Sequence, residues 1–306
     1  MASRPTTTTR HSPFLPTPLE RIGLIVFPLV LVFGTIYSQV SPLTRATPYD
    51  PVAQAHSQDP SLAPSYFARK SNLFNILFVK RGWAWVTASI ALWIVTHPAV
   101  STVDRKVKAV LRWFAITACW VLVTQWCFGA PLIDRGFRWT GGKCDFAELE
   151  VETGVADVKE MVTAVACKTA GGKWKGGHDI SGHVFLLVLG TGFLMQELGW
   201  PVLRWRDFSP DERSVVMSDG ALKSASVEIR DGADKGKRWD GLGPGGKFVV
   251  VVMGLNLWML LMTAMYFHTW FEKLTGLLTA AVSLYIVYII PRFVPVLRGI
   301  FGMPGI

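Results

Sequence analysis

Two short stretches place titratable side chains against apolar sequence. In GGHDISGHVFLLVLG, His178, Asp179 and His183 stand directly ahead of a long apolar run. In AMYFHTWFEK the order is reversed: an apolar run ends in His268, and Glu272 follows four residues on. On a continuing helix that spacing lets the Glu272 carboxylate reach the imidazole and fix its tautomer. A histidine so oriented can act as a nucleophile, and a second histidine can act as a general acid. Asp179 or Ser181 can cap a helix that starts after them, leaving its first N–H groups free. Gly182 would let a ligand approach that backbone closely, and such a helix start attracts phosphate. If the stretches meet, the chemistry they suit is phosphoryl transfer. It would need no metal or other cofactor, since cations and N–H donors can hold the phosphate oxygens. His178 and His183 are five apart and do not share a helix face as an i, i+4 metal pair would.

The elements that must position these residues are membrane helices. Half of the 306 residues are hydrophobic and 17% are charged, where soluble domains carry about a quarter. Thirteen Trp and eighteen Phe add the aromatic content of bilayer interfaces. Segments 22–40, 83–100, 107–128, 180–200, 248–267 and 274–296 are long and apolar enough to span, and Pro291 and Arg292 blur the end of the last. The expected fold is an all-α integral membrane protein with six transmembrane helices and both termini cytosolic. A polar tail, 1–20, precedes a membrane domain, 21–298, and 299–306 form a second tail. The net charge of +9 is spread between apolar segments with no basic stripe, so it sets topology and does not point to nucleic acid.

Charge near the helix ends fixes the orientation. Arg4, Arg10 and Arg21, then Arg105, Lys106 and Lys108, then Arg204, Arg206 and Lys247, and finally Arg298 fall on one face if the N-terminus is cytosolic. Loops 101–106 and 201–247 are then cytosolic, and 41–82, 129–179 and 268–273 are luminal. The fourth span enters from the lumen and the fifth exits to it, so His183 and His268 share one face at similar depth. Polar groups at that depth face a bundle interior or a wet cavity. Lys80 and Arg81 fall on the luminal side against the charge rule, as interface anchors or as a phosphate clamp. Lys173 and Lys175 are further candidates for that clamp. Cys144 and Cys167 share a luminal loop and could close a disulfide in an oxidising compartment, although spacing alone does not give the geometry.

DISGHVFLL, followed far downstream by YFHTWFEK, resembles the fat storage-inducing transmembrane (FIT) family, as does SYFARKSNLFNILFVKRGWAWVT at 65–87. The resemblance covers most of 21–296 and is nearest the fungal branch. It implies an endoplasmic-reticulum protein tied to lipid droplet formation and phospholipid balance, related to lipid phosphate phosphatases. The activity it implies is that of a fatty acyl-CoA diphosphatase, yielding acyl 4'-phosphopantetheine and adenosine 3',5'-bisphosphate. By the same resemblance His183 matches the phosphatases' acid, His268 their nucleophile and Glu272 the carboxylate that orients it. The phosphatases' Lys-x6-Arg-Pro motif is missing, and no Ser-Arg pair precedes His268 at the expected distance, so the clamp must come from elsewhere or be weak. The implied partners are fatty acyl-CoA and membrane lipids, including di- and triacylglycerol. The competing reading is a non-enzymatic protein that binds and partitions those neutral lipids. A transporter fits less well, because no pair of broken helices recurs in matching halves.

Overall fold

The computed structural model describes residues 18–50, 54–125, 130–145, 163–205, 214–216, 222–224 and 242–304. Most of the expected tail 1–20 and of the loop 201–247 lies outside them. In chain order the elements are α1 (Pro18–Val40), α2 (Pro42–Ala46), β1 (Tyr49–Asp50), β2 (Ala55–His56), α3 (Gly82–Thr96) and α4 (Val103–Thr124). They continue with α5 (Leu132–Trp139), β3 (Lys143–Asp145), α6 (Ala164–Thr169), β4 (Lys173–Lys175), α7 (Gly182–Trp205), β5 (Ser214–Val216) and β6 (Leu222–Ser224). The last are α8 (Gly243–Tyr266), α9 (Trp270–Tyr288), α10 (Ile290–Phe293) and α11 (Pro295–Phe301). The strands form three two-stranded antiparallel pairs, β1 with β2, β3 with β4 and β5 with β6.

Five helices are long and apolar enough to cross a membrane, and the protein is a multi-pass, mainly helical membrane protein. The expected second span is shorter than the sequence suggests. α3 has 15 residues, roughly 22 Å against a core of about 30 Å. It stops at Thr96 because Pro98 disfavours the helical region for His97, whose ψ is 129°. A π-helical turn at Asn75–Lys80 runs into its start, a local widening frequent at functional places. The sixth apolar segment also breaks early: α9 ends at Tyr288, and Pro291 and Pro295 restart the chain as α10 and α11.

α7 is the hub. Of its spanning stretch 78% is buried, against 17% to 50% for the other four long helices. Phe185, Leu187, Leu189, Phe193 and Leu194 fill its surroundings. Small residues let the neighbours come close, the usual device where lipid removes the hydrophobic drive between helices. A Cβ at Gly190 would meet Val86 of α3, and one at Gly192 would meet Leu284 of α9. One at Gly276 would stand 2.7 Å from the Ser181 carbonyl, so α9 lies directly against the start of α7.

Near the far end of α7's spanning stretch, Glu197 is 4% exposed and is held by three donors. Arg112 Nε and Nη2 reach its two oxygens at 2.6 and 2.7 Å, and the Tyr288 hydroxyl donates to Oε1 at 2.7 Å. Arg112 Nη1 also donates to the Phe301 carbonyl, which ties α4, α7, α9 and α11 together. Arg292 pairs with Glu20 at 2.7 Å nearby.

Candidate active site

The two histidine stretches meet. The rings of His183 and His268 have centroids 5.4 Å apart at an angle of 77°. His183 stands at the second position of α7, whose N-cap is Ser181: its hydroxyl accepts from the Val184 N–H at 3.3 Å. Ser181 is fully buried, and its own N–H donates to the Glu272 carbonyl at 3.1 Å. Of the two capping candidates, then, Ser181 takes the role. Asp179 turns back instead, with Oδ1 on the Ile180 N–H at 2.8 Å. Beyond its own turn of helix, no described residue comes within 4 Å of the place a Cβ would occupy at Gly182, so space beside the first turn is open.

His268 sits between α8 and α9 with φ at +59°, the left-handed region that costs a non-glycine residue about 1–3 kcal/mol. Several bonds hold it there. Its N–H donates to the Gln54 carbonyl at 3.0 Å, and the adjacent Phe267 bridges Ala55. Thr269 and Glu272 form a capping box that starts α9. Glu272 Oε2 accepts from the Thr269 N–H at 2.9 Å and from His268 Nδ1 at 3.2 Å. With a carboxylate as partner, Nδ1 carries the proton, and Nε2 is the nitrogen with a free lone pair.

Three residues that the sequence reading missed complete the site. Gln54, itself at φ +50°, donates through Nε2 to Asp179 Oδ2 at 3.1 Å and to Glu272 Oε1 at 3.2 Å. The Tyr49 hydroxyl is buried with no hydrogen-bond partner among the described residues. Burial, then the charges of Glu272 and Asp50, push its pKa up, so it remains a neutral donor. Lys70 is half-buried in a turn held by Asn72 and Asn75. Asn72 Oδ1 accepts from the Asn75 N–H at 2.8 Å, and Asn75 Nδ2 donates to the Lys70 carbonyl at 2.8 Å. Burial holds the Lys70 pKa below the ordinary lysine range; Lys168 and Lys80 act the same way and Asp50 opposes them. Lys70 and Lys80 both stand near enough to His183 to act on it electrostatically. The paired asparagines in ARKSNLFN are the signal that could have marked this turn as built; Gln54 and Tyr49 had none.

Lys80 is exposed at the end of the π-helical turn and acts on His183 through its charge alone, with no described hydrogen bond to either histidine. Arg81 is exposed beside it, and the described contacts do not bring it to the histidines. Lys173 and Lys175 are exposed on β4 on either side of Trp174, and the described contacts do not bring them there either. Burial raises the Asp179 carboxyl above the usual range, against the Gln54 hydrogen bond, the His268 charge and the Ile180 N–H. His183 Nδ1 is buried without a partner among the described residues. His178 packs edge-on to Phe271 and donates its N–H to Thr140, joining α5 to the approach to α7. Cys144 and Cys167 are bridged, closing β3 and α6 over the stacked rings of Phe137 and Trp174.

The family model described as fat storage-inducing transmembrane protein matches residues 63–288, which takes in His183, His268 and Lys70. The chain belongs to this family. An acyl-coenzyme A diphosphatase of Schizosaccharomyces pombe, fit1, is 32% identical over 78% of this chain and 78% of its own length. One of Drosophila melanogaster, FITM2, is 26% identical over 73% of this FIT chain and 51% of its own length. One of Saccharomyces cerevisiae, SCS3, is 24% identical over 54% and 64%. No solved structure matches this FIT protein.

Proposed function

We propose that this protein hydrolyses the diphosphate of fatty acyl-CoA, with His268 as nucleophile and His183 as general acid. The observation that carries this reading is the His183–His268 pair, 5.4 Å apart, with His268 Nδ1 committed to Glu272. Nε2 of His268 attacks one phosphorus of the diphosphate. The bond to the leaving phosphate breaks, and His183 supplies the proton to the departing oxygen. Water, deprotonated by His183, then attacks the phosphohistidine and returns His268 to its starting state. The products are acyl 4'-phosphopantetheine and adenosine 3',5'-bisphosphate.

Lys70, Lys80, the Tyr49 hydroxyl and the first N–H groups of α7 supply cations and donors for the phosphoryl oxygens, with no metal required. They stand in for the arginines of the related phosphatases. The acyl chain would lie among the spans. In this reading the enzyme resides in the endoplasmic-reticulum membrane with the histidines facing the lumen and both termini cytosolic, and it serves lipid droplet formation and phospholipid homeostasis. The Cys144–Cys167 bridge supports that orientation. Disulfides persist in oxidising compartments, and the His178–Thr140 bond puts the bridged region at the histidine end.

The test is release of adenosine 3',5'-bisphosphate from oleoyl-CoA by purified protein in detergent with a chelator present. Wild type should turn over, and His183→Ala and His268→Ala should each lose nearly all activity. Inert wild type, or histidine variants that match it, would move the reading to non-enzymatic binding of di- or triacylglycerol.

A further inference from the structure

The geometry points to Gln54 as a positioning residue for the nucleophile, acting through an amide clasp between Asp179 and Glu272. This rests on the hydrolase reading of the same site. Gln54 comes from a segment that the sequence presents as irregular, more than two hundred positions before His268. Its side-chain nitrogen has two hydrogens, and the two carboxylates take both, at 3.1 and 3.2 Å. That orients the amide: nitrogen faces the acids and oxygen faces away. Its main chain does a second job, since the Gln54 carbonyl accepts the His268 N–H at 3.0 Å. One residue therefore grips the nucleophile's backbone and the carboxylate that orients its ring.

The arrangement has a chemical consequence. Asp179 and Glu272 repel each other, and without a donor between them ionisation of Asp179 is further disfavoured. With Gln54 in place, Glu272 Oε1 is occupied by a neutral donor. Oε2 takes His268 Nδ1 beside the Thr269 N–H, so the lone pair stays on Nε2. Two adjoining residues in the left-handed region, at φ +50° and +59°, show that the fold bears strain to make this contact. A loop that merely covered the site would have no reason to bear it.

Several other charged groups surround the clasp. From α9 there is Lys273, whose Nζ is bonded to the Ala264 carbonyl and to Thr35. His183 stands on α7, and Asp134 on α5 acts on Asp179. Tyr49 and Asp50 come from β1, and Lys70 and Lys80 from the segment after β2. None of these supplies a described hydrogen bond that could replace the amide between the two acids. The Gln54 hydrogen bond opposes the upward shift of Asp179, so removing it sends that carboxyl higher. The acid limb of the pH–rate profile should follow it upward.

The decisive variant is Gln54→Leu, which keeps the backbone bond and the side chain's bulk but has no donors. In acyl-CoA hydrolysis we expect kcat to fall about 10- to 100-fold with KM little changed, as for a misplaced reacting group. The acid limb of kcat should rise by about one pH unit. Gln58→Ala is the structural control. It loosens the same segment, since Gln58 holds the His56 and Ala68 carbonyls and the Lys70 N–H, but it touches neither carboxylate. It should leave the pH profile in place. A Gln54→Leu enzyme with wild-type kcat and acid limb overturns the inference, and so does a Gln58→Ala enzyme with the same pH shift. The tautomer of His268, read by NMR of 15N-histidine-labelled full-length protein, separates this failure from that of the functional reading. If wild type is inert towards acyl-CoA but Gln54→Leu moves the proton of His268 off Nδ1, the positioning role stands and the reaction is wrong. If the tautomer does not move, the positioning role is wrong.

Discussion

α7 carries two buried polar centres, one at its start and one near the far end of its spanning stretch, and the two are built on opposite principles. Around Glu197 every charge is answered: both carboxylate oxygens accept from Arg112, Tyr288 adds a third bond, and the spare guanidinium nitrogen takes a carbonyl. Around His183, about 21 Å away at about 1.5 Å per residue, the same resources are spent unevenly. Glu272 and Asp179 are satisfied, yet His183 Nδ1 and the Tyr49 hydroxyl are buried with no described partner. Gln54 and His268 are strained at that end. Buried polar groups left open are costly, and each asks for an explanation. The closed centre is a fastener, and in the hydrolase reading the open one awaits groups of the substrate.

The comparison breaks first at His268. Replacing it with Gly should lower turnover of acyl-CoA by about a thousandfold or more, since it removes the nucleophile. It should also leave the unfolding midpoint in detergent no lower, because glycine relieves the left-handed strain that histidine bears. A variant that is inactive because it has unfolded would show the residue to be structural.

Glu197→Ala should do the reverse. Leaving Arg112 buried and unpaired costs about 3–5 kcal/mol, so the unfolding midpoint should drop sharply while the folded fraction keeps its kcat. Converting the group together, Arg112→Met with Glu197→Leu and Tyr288→Phe, should recover most of the loss, because an apolar set of similar volume needs no partners. If Glu197→Ala abolished kcat in protein that remained folded, the closed centre would not be a mere fastener.

Gly276 links stability to the site. A Cβ there would stand 2.7 Å from the Ser181 carbonyl, and overpacking of this kind costs about 1–3 kcal/mol. Since Ser181 caps the helix that presents His183, Gly276→Ala should reduce stability and kcat together. A loss of stability alone would mean that the start of α7 can shift without moving its histidine.

What the sequence made legible divides along the same line. Glu272 four residues after His268 is a local relation, and one turn of helix realises it. The meeting of His183 with His268 follows from the direction in which two spans cross, and it too was readable. Ser181 and Asp179 were equal candidates for the cap until the structure separated them, because both residue types do that job. The length of the second span was misjudged by hydropathy, which does not register that Pro98 halts α3 two residues ahead of it. Gln54 and Tyr49 were hidden for a different reason. They act across long loops, and no spacing in the chain encodes a contact made by main-chain pairing between Ala55 and Phe267.

The Tyr49 hydroxyl offers a finer cut. If it awaits a phosphoryl oxygen, Tyr49→Phe should lower kcat/KM by about tenfold, the worth of one hydrogen bond of about 1.4 kcal/mol. It should not destabilise the free protein, because the lost hydroxyl has no described partner there. At the closed end Tyr288→Phe removes a bonded hydroxyl and should do the opposite, lowering stability and sparing kcat/KM. The same chemical change at two places then reports which centre is open.

The smallest effect is a dependence of stability on pH. Asp179 is held above the ordinary aspartate range chiefly by burial, so the folded state binds its proton more tightly than the unfolded chain does. Its favourable contribution is therefore full below the unfolded value of about 3.9 and is lost as pH rises through the folded value. Asp179→Asn removes that slope. It also forfeits the bond from the Ile180 N–H if its oxygen faces Gln54, which lowers stability by an amount independent of pH. Wild type should thus lead the variant at low pH by a margin that shrinks, and then reverses or levels off, as pH rises. Asp134, shifted the same way by burial, is present in both proteins and cancels from the difference. A margin that stayed constant from pH 4 upward would mean that Gln54 and His268 together stabilise the ionised form as fully as burial opposes it. The open centre would then be electrostatically closed at its Asp179 side, with His183 and Tyr49 as its open groups.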